Sequence, residues 1–406
     1  MAVVLKGPGA AASLDESLVR SDIARFIADT NPATPCLVIA LDVVAERYRA
    51  LTEALPGAAV YYAVKANPEN DIVGVLRDLG SRFDVASPAE IDLCLEAGVP
   101  ASKISYGNTI KKAADIAYSY SRGVRLFAFD SAAELAKIAE NAPGSSVFCR
   151  ILTTGEGADW PLSRKFGCDS EMAIDLLLAA ADAGLDPWGV SFHVGSQQRD
   201  VSQWRPALFR AAAVMAGVHR RSEGRVQLRG VNLGGGFPAH YLEDIPSLAE
   251  YADAIGAAYA EAFPIGGDAG RPDLAVEPGR YIVADAGVLH TEVVLVSRKH
   301  ADDTERWVYL DTGVFGGLAE TIGEAIKYRI LTSRDGGPVG PVVLAGPTCD
   351  SLDVMYQHHR YELPLDLQAE DRVTLLSAGA YTKAYCTDGF NGFSPMPAHC
   401  LPLTGK

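Results

Sequence analysis

The sequence predicts an α/β fold: a (β/α)8 TIM-like barrel followed by an all-β, Greek-key-like C-terminal domain. Three observations predict it. From residue 35 to about 272, short apolar runs alternate with Ala/Leu/Glu-rich stretches of helical spacing. That is the pattern of parallel strands joined by crossover helices. Eight such runs suit a closed eight-stranded barrel better than a six-stranded open sheet, although a doubly wound sheet is the competing arrangement. Beyond 272 the texture changes to short Val-, Tyr- and Thr-rich runs joined by Gly, Pro and Asp turns.

In chain order, a Gly/Ala leader comes first. A helix is expected over 17–29, ended by Asn31-Pro32, because proline restricts the residue before it. The eight runs stand at 36–41, 59–64, 82–86, 103–106, 125–129, 146–151, 189–194 and 230–233. Later runs at 288–297, 306–311, 342–344 and 371–376 are expected strands, with one helical turn over 319–326. The domains expected are a barrel over 34–272 and a β-rich domain made of 1–33 and 273–406.

Composition narrows the function classes. The 406 residues are 48% hydrophobic and 21% charged, which is an ordinary globular balance. A formal net charge of −15 argues against nucleic acid or an anionic membrane as partner and favours approach of a small cation. Seven cysteines without a CxxC pair suggest a reduced, cytoplasmic protein with no zinc site. No signal peptide or apolar span of transmembrane length is expected.

The polar and glycine-bearing residues gather where the runs end. In a barrel those ends share the face that carries chemistry. Lys65 closes the run that begins at Ala59, just before Ala66-Asn67-Pro68. It is either a solvated lysine or, partly desolvated, an amine able to form a Schiff base. Asp84 and Arg150 lie in other runs. His193, with Ser196 beyond it, puts an imidazole at a strand end, as a satisfied core histidine or as a flat ring that stacks on another. Gly234-Gly235-Gly236 is a tight turn or an oxyanion cradle, and it matches neither dinucleotide nor P-loop patterns. Glu277-Pro278-Gly279-Arg280 offers a carboxylate and a guanidinium on one turn, paired with each other or with a ligand. Cys349-Asp350 sets a thiol beside a carboxylate, which favours the protonated thiol, a structural group or a proton donor.

Taken together, YAVKAN, SFHVGSQ, NLGGGFP, EPGR, GPTCDSLD and a late GAYTKAY resemble, in order, the fold-type III decarboxylases that use pyridoxal 5'-phosphate (PLP), and within them the ornithine/lysine branch. The resemblance spans about 34–395. It implies that Lys65 binds PLP covalently, that His193 stacks on the pyridine ring, and that Glu277 pairs with the ring nitrogen. By the same resemblance Ser196, Gly235, Gly236, Arg280 and Tyr381 hold the phosphate, while Asp84 and Arg150 support Lys65 and the ring. Cys349 would protonate the carbon that loses CO2, and Asp350 would bind the substrate's distal amine. A homodimer with shared sites is implied, to whose substrate site and interface the β-rich domain contributes. The implied reaction is decarboxylation of a basic L-amino acid, first L-ornithine to putrescine in polyamine biosynthesis, with lysine, arginine or another diamino acid as alternatives. A catalytically silent regulator of the same fold is the alternative of another class. One departure stands out. Ungapped counting puts Glu324 where ornithine-specific relatives carry an aspartate, so Glu324 is an expected substrate contact.

Overall fold

The structure, a computed structural model, describes residues 21–160, 164–264 and 271–404. It divides into two compact units. One comprises the described residues of Ala45–Pro238 and Ile245–Tyr281, the other those of Met1–Val44, Ala239–Asp244 and Ile282–Lys406.

The first unit is a closed barrel of eight parallel strands: Ala59–Ala63, Arg82–Val85, Ile104–Tyr106, Leu126–Phe129, Ser146–Arg150, Asp186–Ser191, Gly230–Asn232 and Asp273–Val276. Closure comes from the last strand pairing with the first, Ala275 facing Ala59 and Val276 facing Val60. Buried on both faces, these strands read as continuous apolar runs of β-branched and aromatic residues. Phe83, Phe127 and Phe148 fill the core, and Tyr62 meets Phe83 edge-on at 6.4 Å. Four of the helices between strands start where side-chain oxygens satisfy free N–H groups. Ser87 caps Pro88–Glu96, Ser131 caps Ala132–Asn141 and Asp169 caps Ser170–Asp182. Ser247 and Glu250 form a reciprocal capping box on Leu248–Ala262.

The second unit is an eight-stranded, mostly antiparallel sheet. Its main path runs Ile330–Thr332, Arg372–Leu375, Gly287–Ser297, Arg306–Leu310, Val339–Ala345, Val354–Pro364. Cys36–Ala40 adds antiparallel to Gly287–Ser297, and Ala398–Leu401 adds parallel to Cys36–Ala40.

That placement corrects the sequence reading. The run at 36–41 is not a barrel strand. The eighth barrel strand is Asp273–Val276, past the expected boundary at 272. All five residues of Cys36–Ala40 are buried, and burial on both faces looks the same in either sheet. The barrel strand Asp273–Val276 is short and opens on an exposed aspartate, so its apolar signal was weak. The expected helix at 17–29 is observed as Ser21–Thr30, and 17–20 fall outside the described residues, as does the leader.

Candidate active site

The first barrel strand ends in a 3-10 turn, Val64–Ala66. Tyr62 donates its hydroxyl to the Asn67 carbonyl at 2.9 Å, and Asn67 N–H reaches Val64 O at 3.1 Å, so the chain folds back around Lys65. Lys65 Nζ donates to Asp84 Oδ2 at 3.0 Å, with the lysine side chain 48% exposed and the aspartate 4%. The lysine side chain is thus about half exposed while its counterion is enclosed. Asp84 Oδ1 has no hydrogen-bond partner among the described residues. Gly107 packs on that oxygen so closely that a Cβ there would stand 2.0 Å away.

His193 follows the sixth strand. Gly195 N–H donates to its Nδ1 at 3.0 Å, which puts the ring proton on Nε2. Burial, then the charges of Arg150 and Lys65, hold the imidazole well below its ordinary pKa, so the ring is neutral. Arg150 ends the fifth strand with its guanidinium 5.2 Å from the Phe166 ring centroid; burial lowers its pKa against the opposing pull of Glu277, Asp130 and Asp84.

Glu277 follows the eighth strand within a closed set of bonds. Asn232 Nδ2 donates to Glu277 Oε1 at 2.5 Å, Gly234 N–H donates to Asn232 Oδ1 at 2.9 Å, and Glu277 N–H donates to Gly234 O at 2.7 Å. Burial first, and the Asp84 carboxylate second, push Glu277 up to about 7, although Lys65, Asn232 and Arg150 oppose the shift. Such a carboxyl is poised to hold or release a proton at neutral pH.

Arg280, 3% exposed, donates through Nε and Nη2 to Ser196 Oγ at 3.2 and 3.0 Å. Gln198 N–H ties the Ser196 segment to Gly236 O at 2.9 Å. Gly236 has φ +108, and a Cβ at Gly235 would stand 2.8 Å from Glu277 O and 3.1 Å from His193 Nε2. Glycine is required for that approach. A hydroxyl, a guanidinium and a glycine turn together suit a phosphate.

The barrel therefore brings Lys65, Asp84, Arg150, His193, Ser196, Gly235, Gly236, Glu277 and Arg280 to its C-terminal strand ends. Cys349, Asp350, Glu324 and Tyr381 belong to the other unit. Cys349 is exposed, with its N–H on Asn391 Oδ1 at 2.8 Å. Asp350 Oδ1 accepts Leu352 N–H at 2.9 Å. Tyr381 takes φ +55, its ring 5.8 Å from that of Tyr385.

Glu324 requires a correction. Its carboxylate accepts the N–H groups of Gln357, His358 and His359 at 2.7, 2.6 and 2.7 Å. The strand Val354–Pro364 bulges there: Val342 faces Tyr361, yet Leu344 faces Tyr356. The bulge frees those N–H groups, and Glu324 satisfies them. Burial raises the Glu324 pKa, but the three N–H bonds outweigh it and leave the group lowered. Glu324 is committed to the backbone and is not a free anion for a substrate.

Two residues escaped the sequence reading. Asn232 orients Glu277; the available signal was an amide in an otherwise apolar buried strand end. Buried Asp353 accepts from Val314 N–H at 2.8 Å, Thr348 N–H at 3.0 Å and the Thr348 hydroxyl at 2.7 Å, and so fixes the segment carrying Cys349.

Comparison with known proteins agrees with this arrangement. Residues 41–284 match the family model of the pyridoxal-dependent decarboxylases' pyridoxal binding domain. The chain is 35% identical over 367 residues to the lysine/ornithine decarboxylase of Selenomonas ruminantium, covering 90% of this chain and 88% of that protein. It is 32% identical over 390 residues to antizyme inhibitor 2 of Xenopus laevis, covering 93% and 83%. The structure of the Selenomonas ruminantium lysine decarboxylase in complex with PLP and cadaverine superposes with a TM-score of 0.83 at 33% identity, covering 95% of this chain and 94% of that one. PLP is the cofactor, and the residues present fit it: an amine at a strand end, a neutral ring face, a carboxyl of raised pKa and a glycine-lined cradle beside Ser196 and Arg280. The chain belongs to the PLP-dependent decarboxylases, in their ornithine/lysine branch.

Proposed function

We propose that the protein converts L-ornithine to putrescine and CO2, with L-lysine as the next substrate. The observation that carries this reading is the joint presence of the complete barrel site and the Cys349-Asp350 pair. A short carboxylate suits a terminal ammonium, and the net charge of −15 draws cationic substrates. The similarity to a lysine/ornithine decarboxylase supports the same class of substrate.

Bound PLP supplies the electron sink that takes the bonding pair of the Cα–carboxylate bond as CO2 leaves. The chain's own residues do the rest. Lys65 anchors the cofactor, and Asp84 Oδ2, 3.0 Å from Nζ, steadies the amine and moves its proton. His193 offers a neutral face, which adds no charge against the ring. Glu277, held by Asn232, keeps a proton at the ring nitrogen. Ser196, Arg280, Gly235 and Gly236 hold the phosphate, and Arg150 supports the ring side of the pocket. Cys349 Sγ gives the proton that replaces CO2, and Asp350 binds the distal ammonium. Both act on the site of the second subunit of a homodimer, where a partner surface covers the thiol that one chain leaves exposed.

A panel of L-ornithine, L-lysine, L-arginine and diaminopimelate, with products identified by mass, tests the reading. Putrescine is expected at the highest kcat/KM and cadaverine next. Agmatine as main product would replace the substrate. No CO2 from any of them, in protein that holds PLP, would favour a silent regulator, the role for which the likeness to an antizyme inhibitor speaks.

A further inference from the structure

Two buried thiols stand directly behind Arg150. Cys149 is the residue before it in the fifth strand, and Cys168 lies on the segment that leads into the helix Ser170–Asp182. Their sulfurs are 3.6 Å apart. The backbone holds them so. Cys168 N–H donates to Arg150 O at 3.0 Å, Leu152 N–H donates to Cys168 O at 2.9 Å, and Gly167 N–H donates to Asp130 Oδ2 at 2.7 Å. Ile151, just past the strand, and Cys168 are bridge partners, and Cys149 lies two residues before Ile151. A disulfide needs an S–S distance of about 2.05 Å, so the sulfurs need a further approach of about 1.5 Å with no partner drawn from elsewhere in the chain.

We propose that Cys149 and Cys168 form a peroxide-responsive dithiol that closes to an intrachain disulfide beside the cofactor site. The reaction balances. Cys168 Sγ attacks one oxygen of hydrogen peroxide and becomes a sulfenic acid, while its thiol proton joins the departing hydroxide as the first water. Cys149 then attacks Cys168 Sγ and expels the second water. Two thiols lose two electrons and two protons, and one peroxide becomes two waters.

The order of attack follows from the setting. Cys168 is 5% exposed and Cys149 0%, so the small oxidant meets Cys168 first. Cys149 is held protonated, first by its contact with Cys168 and then by burial, which makes it the poorer nucleophile toward the oxidant. Cys168 Sγ also lies 3.5 Å from Arg150 O. Closure removes that S–H donor and ties the end of the Arg150 strand covalently to the segment before Ser170. Nothing in this proposal depends on which amino acid is decarboxylated.

The test uses the holoenzyme and hydrogen peroxide, followed by catalase, alkylation after unfolding, and tryptic mapping. Cleavage after Arg150 and Lys165 puts the two cysteines in different peptides, so a cross-link is diagnostic. Exposed Cys349 reports that the oxidant acted. A Cys149–Cys168 cross-linked peptide that dithiothreitol separates is the expected result. In Cys149→Ala the cross-link should vanish and Cys168 should carry added oxygen. Wild-type protein with Cys349 oxidised but Cys149 and Cys168 both alkylated as free thiols would overturn the proposal. Unmodified Cys168 in Cys149→Ala would overturn its assignment as the attacking sulfur.

Discussion

At the strand ends of the barrel, four of the charged or titrating candidate groups meet a hydrogen-bonding neighbour from the same unit. Lys65 has Asp84, His193 has Gly195 N–H, Glu277 has Asn232 and Arg280 has Ser196. The 346–353 segment of the β-rich unit works differently. There the backbone is held, by buried Asp353, while the Cys349 side chain is presented to solvent. The contrast teaches that the barrel candidates are held by hydrogen bonds within their own unit. The segment fixes only position and leaves the thiol's environment to whatever covers it. Loss of a barrel group should therefore strike cofactor binding, and loss of a segment group should strike the steps on substrate.

The largest effect falls on the barrel. Lys65→Ala should abolish turnover together with the visible absorbance of bound cofactor. Cys349→Ala should keep that absorbance while slowing turnover about 10²- to 10⁴-fold, the range for loss of a placed proton donor, and should release an aldehyde by-product seen by mass. Equal loss of absorbance in both variants would erase the distinction between the regions.

Asp353→Ala probes the segment without touching the thiol. Orphaning its donors should lower unfolding free energy by about 3 kcal/mol, measured by denaturant titration, and lower kcat with cofactor absorbance unchanged. The smallest effect is pH-dependent and belongs to the barrel. Glu277 is raised from 4.5 to about 7, so in the cofactor-free protein its contribution to stability is fully present below pH 4.5 and lost as pH rises through about 7. Melting temperatures across that window should fall with pH, and Glu277→Gln should flatten the slope. An unchanged slope would mean that Glu277 does not carry the shift.

Much of the barrel site was legible because its chemistry sits where apolar runs stop. Lys65, His193, the glycine turn and Glu277 each interrupt a pattern that a buried strand would otherwise continue. What was not legible depends on pairing. The run at 36–41 has the texture of a barrel strand, yet it pairs with Gly287–Ser297, since apolar texture does not name the neighbour. Val354–Pro364 escaped notice because Gln357-His358-His359-Arg360 interrupts it, and those residues form the bulge that Glu324 satisfies. Counting placed Glu324 on the substrate. Only the hydrogen bonds reveal that its carboxylate is already spent. Asn232 and Asp353 were hidden for the same reason, as polar side chains whose role lies in whom they touch.

The central claim is that Lys65 is where this protein carries PLP. Borohydride reduction of the holoenzyme fixes the cofactor to the lysine that bears it, and peptide mass mapping locates the adduct. The account predicts the pyridoxyl mass on Lys65, with none in Lys65→Ala. An adduct on another lysine, such as buried Lys111, or no adduct in protein that decarboxylates ornithine, would contradict it.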